Sequence, residues 1–257
     1  MHVKSEKLQA FSQLLDIMDD LRAQCPWDKK QTLESLRPLT LEEVYELSDA
    51  VLKNDLEEIK KELGDVLLHL VFYSKIGAEK GAFDIADVIN SLNEKLIFRH
   101  PHIYGDTKVG SEEEVKQNWE KLKLKEGNAS VLSGVGKSGP SLVKAHRIQE
   151  KVKGVGFEFA SSQQAWDKVK EELAEFEKET DPKAKELELG DVLFSLVNYA
   201  RISGLNADTA LERTNQKFVS RFMKMEALAQ SKDLVFAELD LEQMDALWDE
   251  IKATEKI

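Results

Sequence analysis

Glu62-Leu63-Gly64-Asp65-Val66-Leu67-Leu68-His69-Leu70-Val71-Phe72-Tyr73 decides how this chain is read. Glu188-Leu189-Gly190-Asp191-Val192-Leu193-Phe194-Ser195-Leu196-Val197-Asn198-Tyr199 repeats it 126 positions on (188 − 62). Apolar residues recur three and four apart in both copies, so each is one face of a helix rather than a strand. Upstream of each lies a second acidic motif, Glu42-Glu43-x-x-Glu46 and Glu171-Glu172-x-x-Glu175, at an offset of 129 (171 − 42). The turn between motifs is therefore three residues shorter in the second copy.

The match extends outward. Asn93/Asn215, Lys95/Lys217 and Arg99/Arg221 align at an offset of 122, and Trp119/Trp248 and Lys123/Lys252 at 129. Offsets that change only between periodic segments are the mark of a duplicated domain. The expected organisation is an N-terminal helical domain over 1–126, a linker over 127–141 and a C-terminal helical domain over 142–257. The linker is rich in Gly and Ser. Its Gly134-Val135-Gly136-Lys137-Ser138 is not a phosphate loop, because Val131 stands where that motif needs a glycine.

Helical periodicity runs throughout. Leu8 to Leu21 mark an opening helix. A second, through Leu41, Val44, Leu47 and Val51, ends near Asn54-Asp55. A third, from Ile59, ends between Gly77 and Gly81. A fourth spans Asp84 to Arg99 and stops at Pro101. Ser111-x-x-Glu114 reads as a capping box opening a short helix through Trp119. The second copy predicts helices near 161–179, 183–203, 206–229 and 240–254. No alternating strand pattern competes, and the fold class is all-α, a tandem pair of helical bundles.

Composition narrows the function. With 257 residues, 42% hydrophobic and 33% charged, the chain can form two cores. A net charge of −12 argues against nucleic-acid binding. Cys25 is the single cysteine, which excludes an intrachain disulfide or a cysteine-built zinc site and suits a reducing compartment. Residues 1–21 lack a signal-peptide core, and no apolar run has the length of a membrane span. The expectation is a soluble cytoplasmic protein.

Residues three or four apart on a helix share a face, so Glu43 and Glu46 point one way, as do Glu62 and Asp65. Antiparallel packing would gather these four, and Glu172, Glu175, Glu188 and Asp191 in the second copy. Two such charges about 4 Å apart repel by roughly 4 kcal/mol at an effective dielectric near 20, so protons or a cation must intervene. Oxygen ligands alone select a hard cation, Mg2+ first and Mn2+ second. A di-iron bundle would need Glu-x-x-His, whereas the motif here is Glu-x-x-Asp. His69 lies four residues past Asp65, but its counterpart is Ser195, so the duplicated site does not need it. Gly64 and Gly190 each cost roughly 1 kcal/mol in a helix interior, which a close helix or ligand approach would explain.

Mg2+ held by carboxylates leaves positions for phosphate oxygens. Lys217 and Arg221, like Lys95 and Arg99, lie four apart and are candidate phosphate clamps. Trp248, with Lys252 one turn on, is a candidate stacking platform for a base. Together these describe a nucleotide site. Each feature also has a plainer reading. Thr40-x-x-Glu43 is itself a capping box, Lys217 and Arg221 suit surface ion pairs, Trp248 suits a core, and His100 and His102 flank the proline that ends a helix.

The paired EExxE…ExxD motifs, Cys25-Pro26-Trp27-Asp28, Phe98-Arg99-His100-Pro101-His102 and the tandem arrangement resemble the MazG family. These are nucleoside triphosphate pyrophosphohydrolases of the all-α NTP-pyrophosphatase superfamily, which includes dimeric dUTPases. The resemblance covers nearly the whole chain. It implies Mg2+-dependent hydrolysis of nucleoside triphosphates to monophosphate and pyrophosphate by water attack at the α-phosphorus, in a homodimer. It matches Glu172, Glu175, Glu188 and Asp191 to metal ligands, and Lys217, Arg221 and Trp248 to nucleotide contacts. The segment Lys168 to Glu171 falls at the nucleotide, and Glu171 or Glu172 is the candidate base. Family members place a lysine near position 184; here Ala184 is flanked by Lys183 and Lys185, and Lys185 joins the candidate substrate contacts. The C-terminal copy is the expected catalytic one, although Glu43, Glu46, Glu62 and Asp65 are all retained. A narrower dUTPase-like or phosphoribosyl-ATP pyrophosphohydrolase is one alternative. A non-catalytic nucleotide-binding scaffold is the other.

Overall fold

A computed structural model of the chain describes residues 2–111, 114, 115, 118, 130–133, 135 and 139–255. These form helices with no strand among the described residues. The chain divides into two compact units, Met1–Lys108 and Val109–Ile257.

The first unit holds α1 (Lys4–Gln24), a 3-10 turn (Asp28–Lys30), α2 (Leu33–Lys53), α3 (Leu56–Glu79), α4 (Ile85–Arg99) and α5 (Pro101–Tyr104). Short polar caps set the boundaries. The Thr32 hydroxyl accepts from Ser35 N at 3.1 Å, while the Ser35 hydroxyl accepts from Thr32 N at 2.9 Å. A cap of this kind contributes about 1 kcal/mol. α2 ends at Asn54, whose left-handed backbone (φ 55°, ψ 35°) lets its N–H return to Ala50 O and Val51 O. Asp55 then caps α3 by accepting from Glu57 N and Glu58 N. A two-residue connection of this geometry folds α3 back along α2. Met18, Leu36, Val71, Phe72 and Ile76 form the core beneath the hairpin.

The second unit holds α6 (Ser141–Lys153), α7 (Ser162–Lys178), α8 (Pro182–Ile202), α9 (Ala207–Ser231), a 3-10 turn (Phe236–Glu238) and α10 (Leu241–Thr254). Ser161, Asp181, Asn206 and Asp240 cap α7 to α10. α7 and α8 are the hairpin equivalent to α2 and α3. Met225, Ala229, Leu247 and Ile251 close a core between α9 and α10.

The structure corrects the sequence reading at four points. Thr40 does not cap a helix: α2 begins at Leu33, and the Thr40 hydroxyl bonds Leu36 O one turn back at 2.9 Å. Pro38 disguised that start, because it sits inside α2 where a proline usually ends a helix. With the start corrected, Glu43 and Glu172 each lie ten residues into their helices (43 − 33, 172 − 162). Second, α6 was not expected, although it ends 129 residues after α1 (153 − 24) and is that helix's counterpart. Third, a Cβ on Gly64 or Gly190 would meet nothing within 4 Å, so close packing inside the described chain does not explain either glycine. Fourth, Pro101 ends α4 and also opens α5. The Ser111–Glu114 cap forms, with Glu114 N donating to Ser111 Oγ at 3.2 Å. Trp119, Lys123 and Gly136–Ser138 lie outside the described residues.

Candidate functional site

The two helical hairpins do what the spacing predicts, with three acids each rather than four. Glu43, Glu62 and Asp65 each place a carboxylate oxygen within 4.8 Å of the others, and Glu172, Glu188 and Asp191 repeat the arrangement. Glu46 and Glu175 are exposed and stand outside these sets. They still act on them: Glu46 is among the charges bearing on Glu43, and Glu175 among those bearing on Glu188.

Crowding shows in the titration behaviour. The Glu43 carboxyl is held above its ordinary range first by burial, then by Asp65, Glu46 and Glu62. Glu188 is raised in the same way, by burial and then by Glu175, Asp191 and Glu172. The most buried acid of the two sets is Glu62, 1% exposed, whose Oε2 is buried without a hydrogen-bond partner among the described residues. A buried carboxylate oxygen left bare costs free energy until a cation or donor reaches it.

Each set keeps one ammonium against one acid, from different helices. In the N-terminal unit Lys61 Nζ donates to Glu62 Oε1 at 2.9 Å and to Glu58 at 2.9 Å, which holds the Glu62 carboxyl below its usual range. In the C-terminal unit Lys168 Nζ lies 2.7 Å from both Glu171 Oε1 and Glu172 Oε1, and Glu172 is 8% exposed. The Lys168 ammonium is correspondingly raised by these two hydrogen bonds. Lys61 was missed in the sequence because its equivalent, Leu187, is apolar and the repeat drew attention only to matched positions.

The candidate phosphate clamp is assembled but turned elsewhere. Arg221 Nε donates to Glu255 at 2.6 Å, with its guanidinium 5.8 Å from the Trp248 ring centroid. Lys224 holds the same Glu255 at 2.8 Å, and Trp248 packs against Phe218 at 5.2 Å between centroids. Lys217 is exposed, and Lys252 pairs with Asp249 at 3.2 Å. Among the described residues no hydrogen bond or ion pair joins Lys217, Arg221, Trp248 or Lys252 to the acids of α7 and α8. Lys185 rests its ammonium 4.9 Å from the centroid of the Phe176 ring. Lys95 lines a shallow groove of about 600 Å³ with Phe83, Asp87 and Leu92, and Arg99 is half-buried at the end of α4.

A polar network not anticipated from the repeat lies one turn along the N-terminal seam. Thr40 Oγ1 is 2.9 Å from His69 Nδ1 and 2.7 Å from the Tyr73 hydroxyl. Burial lowers the His69 pKa, opposed by the charge of Asp65. The one available signal was the spacing of Asp65, His69 and Tyr73 down a single face of α3.

A family model described as the MazG nucleotide pyrophosphohydrolase domain matches residues 31–104 and 165–225, which span both hairpins. A Thermotoga maritima protein named nucleoside triphosphate pyrophosphohydrolase/pyrophosphatase MazG is 43% identical over 247 residues, covering 94% of this chain and 95% of that one. The Escherichia coli K12 nucleoside triphosphate pyrophosphohydrolase is 37% identical over 260 residues, covering 96% and 99%. Among solved structures, a MazG-related protein from Thermotoga maritima is similar at 29% identity. Its TM-score is 0.40, with 44% of this chain and 98% of that chain covered.

Proposed function

Because the chain belongs to the MazG nucleotide pyrophosphohydrolase family, we propose that it hydrolyses nucleoside triphosphates to the monophosphate and pyrophosphate with Mg2+ as cofactor. One observation carries the reading: three carboxylates converge within 4.8 Å at equivalent positions of two hairpins, one of them with a bare buried oxygen. An all-oxygen donor set of this kind fits Mg2+, with Mn2+ as its substitute. Glu172, Glu188 and Asp191 would hold the ion in the C-terminal unit, and Glu43, Glu62 and Asp65 in the N-terminal unit, with Glu175 and Glu46 adding negative field. Bound there, the ion supplies Lewis-acid polarisation of phosphate oxygens.

The chain's own residues supply the rest. A water attacks the α-phosphorus, the new P–O bond forms as the bond to the β-phosphate bridging oxygen breaks, and pyrophosphate departs. Glu171 or Glu172 takes the water's proton. Lys168, already poised between these two acids, turns to a phosphate oxygen, and Lys185, Lys217 and Arg221 offset the charge gathering on the leaving group. Both ribo- and deoxynucleoside triphosphates fall within this chemistry.

A homodimer accompanies the reading. Leu63, Leu67 and Leu70 form an exposed stripe on α3, and Leu189, Leu193 and Leu196 repeat it on α8. A second copy covering both stripes would remove a large apolar area from water. No helix among the described residues is long and apolar enough to cross a membrane, which accords with a cytoplasmic enzyme.

The test is a panel of triphosphates with Mg2+, scored for pyrophosphate against orthophosphate. Monophosphate with pyrophosphate is the expected pair. Diphosphate with orthophosphate would move the attack to the γ-phosphorus. No product from any triphosphate would leave a binding scaffold.

A further inference from the structure

We infer that His69 sets the N-terminal carboxylate centre apart from its C-terminal twin, its Nε2 accepting a hydrogen bond from a water held at Glu43, Glu62 and Asp65. The inference rests on reading those acids as a cation site. Thr40 Oγ1 has three neighbours at bonding distance: Leu36 O, His69 Nδ1 and the Tyr73 hydroxyl. A hydroxyl offers one proton and two lone pairs. Leu36 O can only accept, so all three bonds form together in one arrangement. Thr40 donates to Leu36 O, while Tyr73 O–H and His69 Nδ1–H donate to Thr40. Neutral His69 therefore carries its proton on Nδ1 and presents a bare lone pair at Nε2.

That lone pair has no partner among the described residues, and Nε2 keeps a face to solvent although the residue as a whole is only 7% exposed. Thr40 lies one turn before Glu43 on α2 and His69 one turn after Asp65 on α3, so the ring sits beside the acid centre along the seam. Nδ1 is committed to Thr40, and Asp65 is the charge that acts on the ring. Carboxylates in their charged form only accept, so the three acids when ionised cannot satisfy Nε2. Among the described residues no donor reaches Nε2, and a water is the donor we assign to it. A water between the acids and the ring can donate to Nε2 and to a carboxylate together, or bind a cation through its oxygen while donating to Nε2.

The second copy lacks this device. Val169 stands at the Thr40 position, and Ser195 at the His69 position gives its hydroxyl proton to Val192 O at 2.9 Å. Tyr199 packs its ring 4.8 Å from Trp166 instead. The two centres share their acids but differ in the one nitrogen acceptor beside them, which makes His69 a positioning residue of the N-terminal centre alone.

The full chain, 15N-labelled at histidine, decides the matter by long-range proton–nitrogen spectra, with His69 assigned from the signal lost in His69→Gln. The expected result is a protonated Nδ1 and an unprotonated Nε2 without Mg2+, and an Nε2 resonance that moves as Mg2+ is added in wild type but not in Asp65→Asn. Calorimetry should show two cations per chain, with the N-terminal affinity about ten-fold weaker in His69→Ser and the C-terminal affinity unchanged. A proton found on Nε2 overturns the inference. So does an Nε2 resonance that stays in place while two cations bind, an outcome that leaves the carboxylate centres standing. One cation per chain, lost in Asp191→Asn and kept in Asp65→Asn, also overturns it. No binding at all removes the cation reading itself.

Discussion

Lys168 and Glu172 are joined at 2.7 Å, and the residue equivalent to Lys168 in the N-terminal unit is Leu39. There the ammonium comes from the other helix of the hairpin, where Lys61 reaches Glu62 and the C-terminal unit has Leu187. Duplicated acids thus carry unduplicated counter-charges. If Lys168 passes from Glu172 to a substrate phosphate, it serves the nucleotide rather than the cation. Lys168→Met should then lower kcat/KM by roughly 10- to 100-fold, the worth of one charge-assisted hydrogen bond. Mg2+ affinity should hold or tighten, because Glu172 loses its competitor. A loss of Mg2+ affinity measured by calorimetry would mark Lys168 as structural.

The acids themselves should divide by copy. Glu172→Gln and Asp191→Asn are expected to cut kcat by about 100-fold or more, the usual scale for removing a group that handles the proton or the ion. Glu43→Gln and Asp65→Asn should cost less than about ten-fold in the same pyrophosphate-release assay. Equal losses would make both hairpins catalytic.

Much of this was legible in the chain because duplication offers an internal control. One Glu-x-x-Asp pair is an ordinary solvated helix face; two with matched apolar stripes fix the helices, the hairpin and the acids that converge. Features that broke the repeat were invisible to that method. Lys61 and His69 have the counterparts Leu187 and Ser195, so the repeat carries no signal for them, and Thr40, opposite Val169, reads as a cap instead. Helix α6 escaped because its charged and polar face obscures the stripe, and α2 was begun late because Pro38 reads as a stop. The placement of Arg221 against Glu255 depends on the meeting of α9 with the end of α10, which no spacing along one helix encodes.

Proton competition should be visible as pH falls. Glu43 and Glu188 are raised above the ordinary carboxyl value of 4.5 by burial and then by their acidic neighbours. Their protonated forms are favoured in the folded chain. The stability they contribute is therefore fully present below 4.5 and is lost as pH rises through their higher folded values. Above that window the proposed Mg2+ would take over the role of the proton. The Mg2+-induced rise in Tm should be largest at about pH 8 and shrink toward about pH 5. Glu79, Glu150, Glu158 and Glu255 are held low by arginine and lysine partners and shift stability in the opposite sense, so the difference with and without Mg2+ is the quantity to follow. A Mg2+ effect independent of pH would place the ion away from these carboxylates.

The exposed leucine stripes predict the assembly. Leu67→Glu and Leu193→Glu each put a charge in the middle of a surface that a second copy would bury. Both changes lie on exposed faces, so the monomer fold should survive with unchanged helix content by circular dichroism. Sedimentation should show dimers in wild type and a shift toward monomers in the double variant. A wild-type chain that sediments as a monomer at micromolar concentration would remove the dimer.

Glu255 restrains Arg221, whose side chain is 15% exposed and also faces Trp248. As a phosphate clamp, Arg221 must first leave that carboxylate; as a strut, it never does. Glu255→Gln separates the two roles. Removing the charge weakens the hold on Arg221 and costs little stability, because solvent screens a partly exposed pair. For a clamp, the KM for triphosphate should fall several-fold with kcat near wild type, and Arg221→Ala should raise KM by about ten-fold or more. For a strut, both variants should lower Tm together and leave KM alone. The clamp outcome is the one expected, because Arg221 and Lys224 set two positive charges against the single carboxylate of Glu255, and a triphosphate would supply the remaining negative charge.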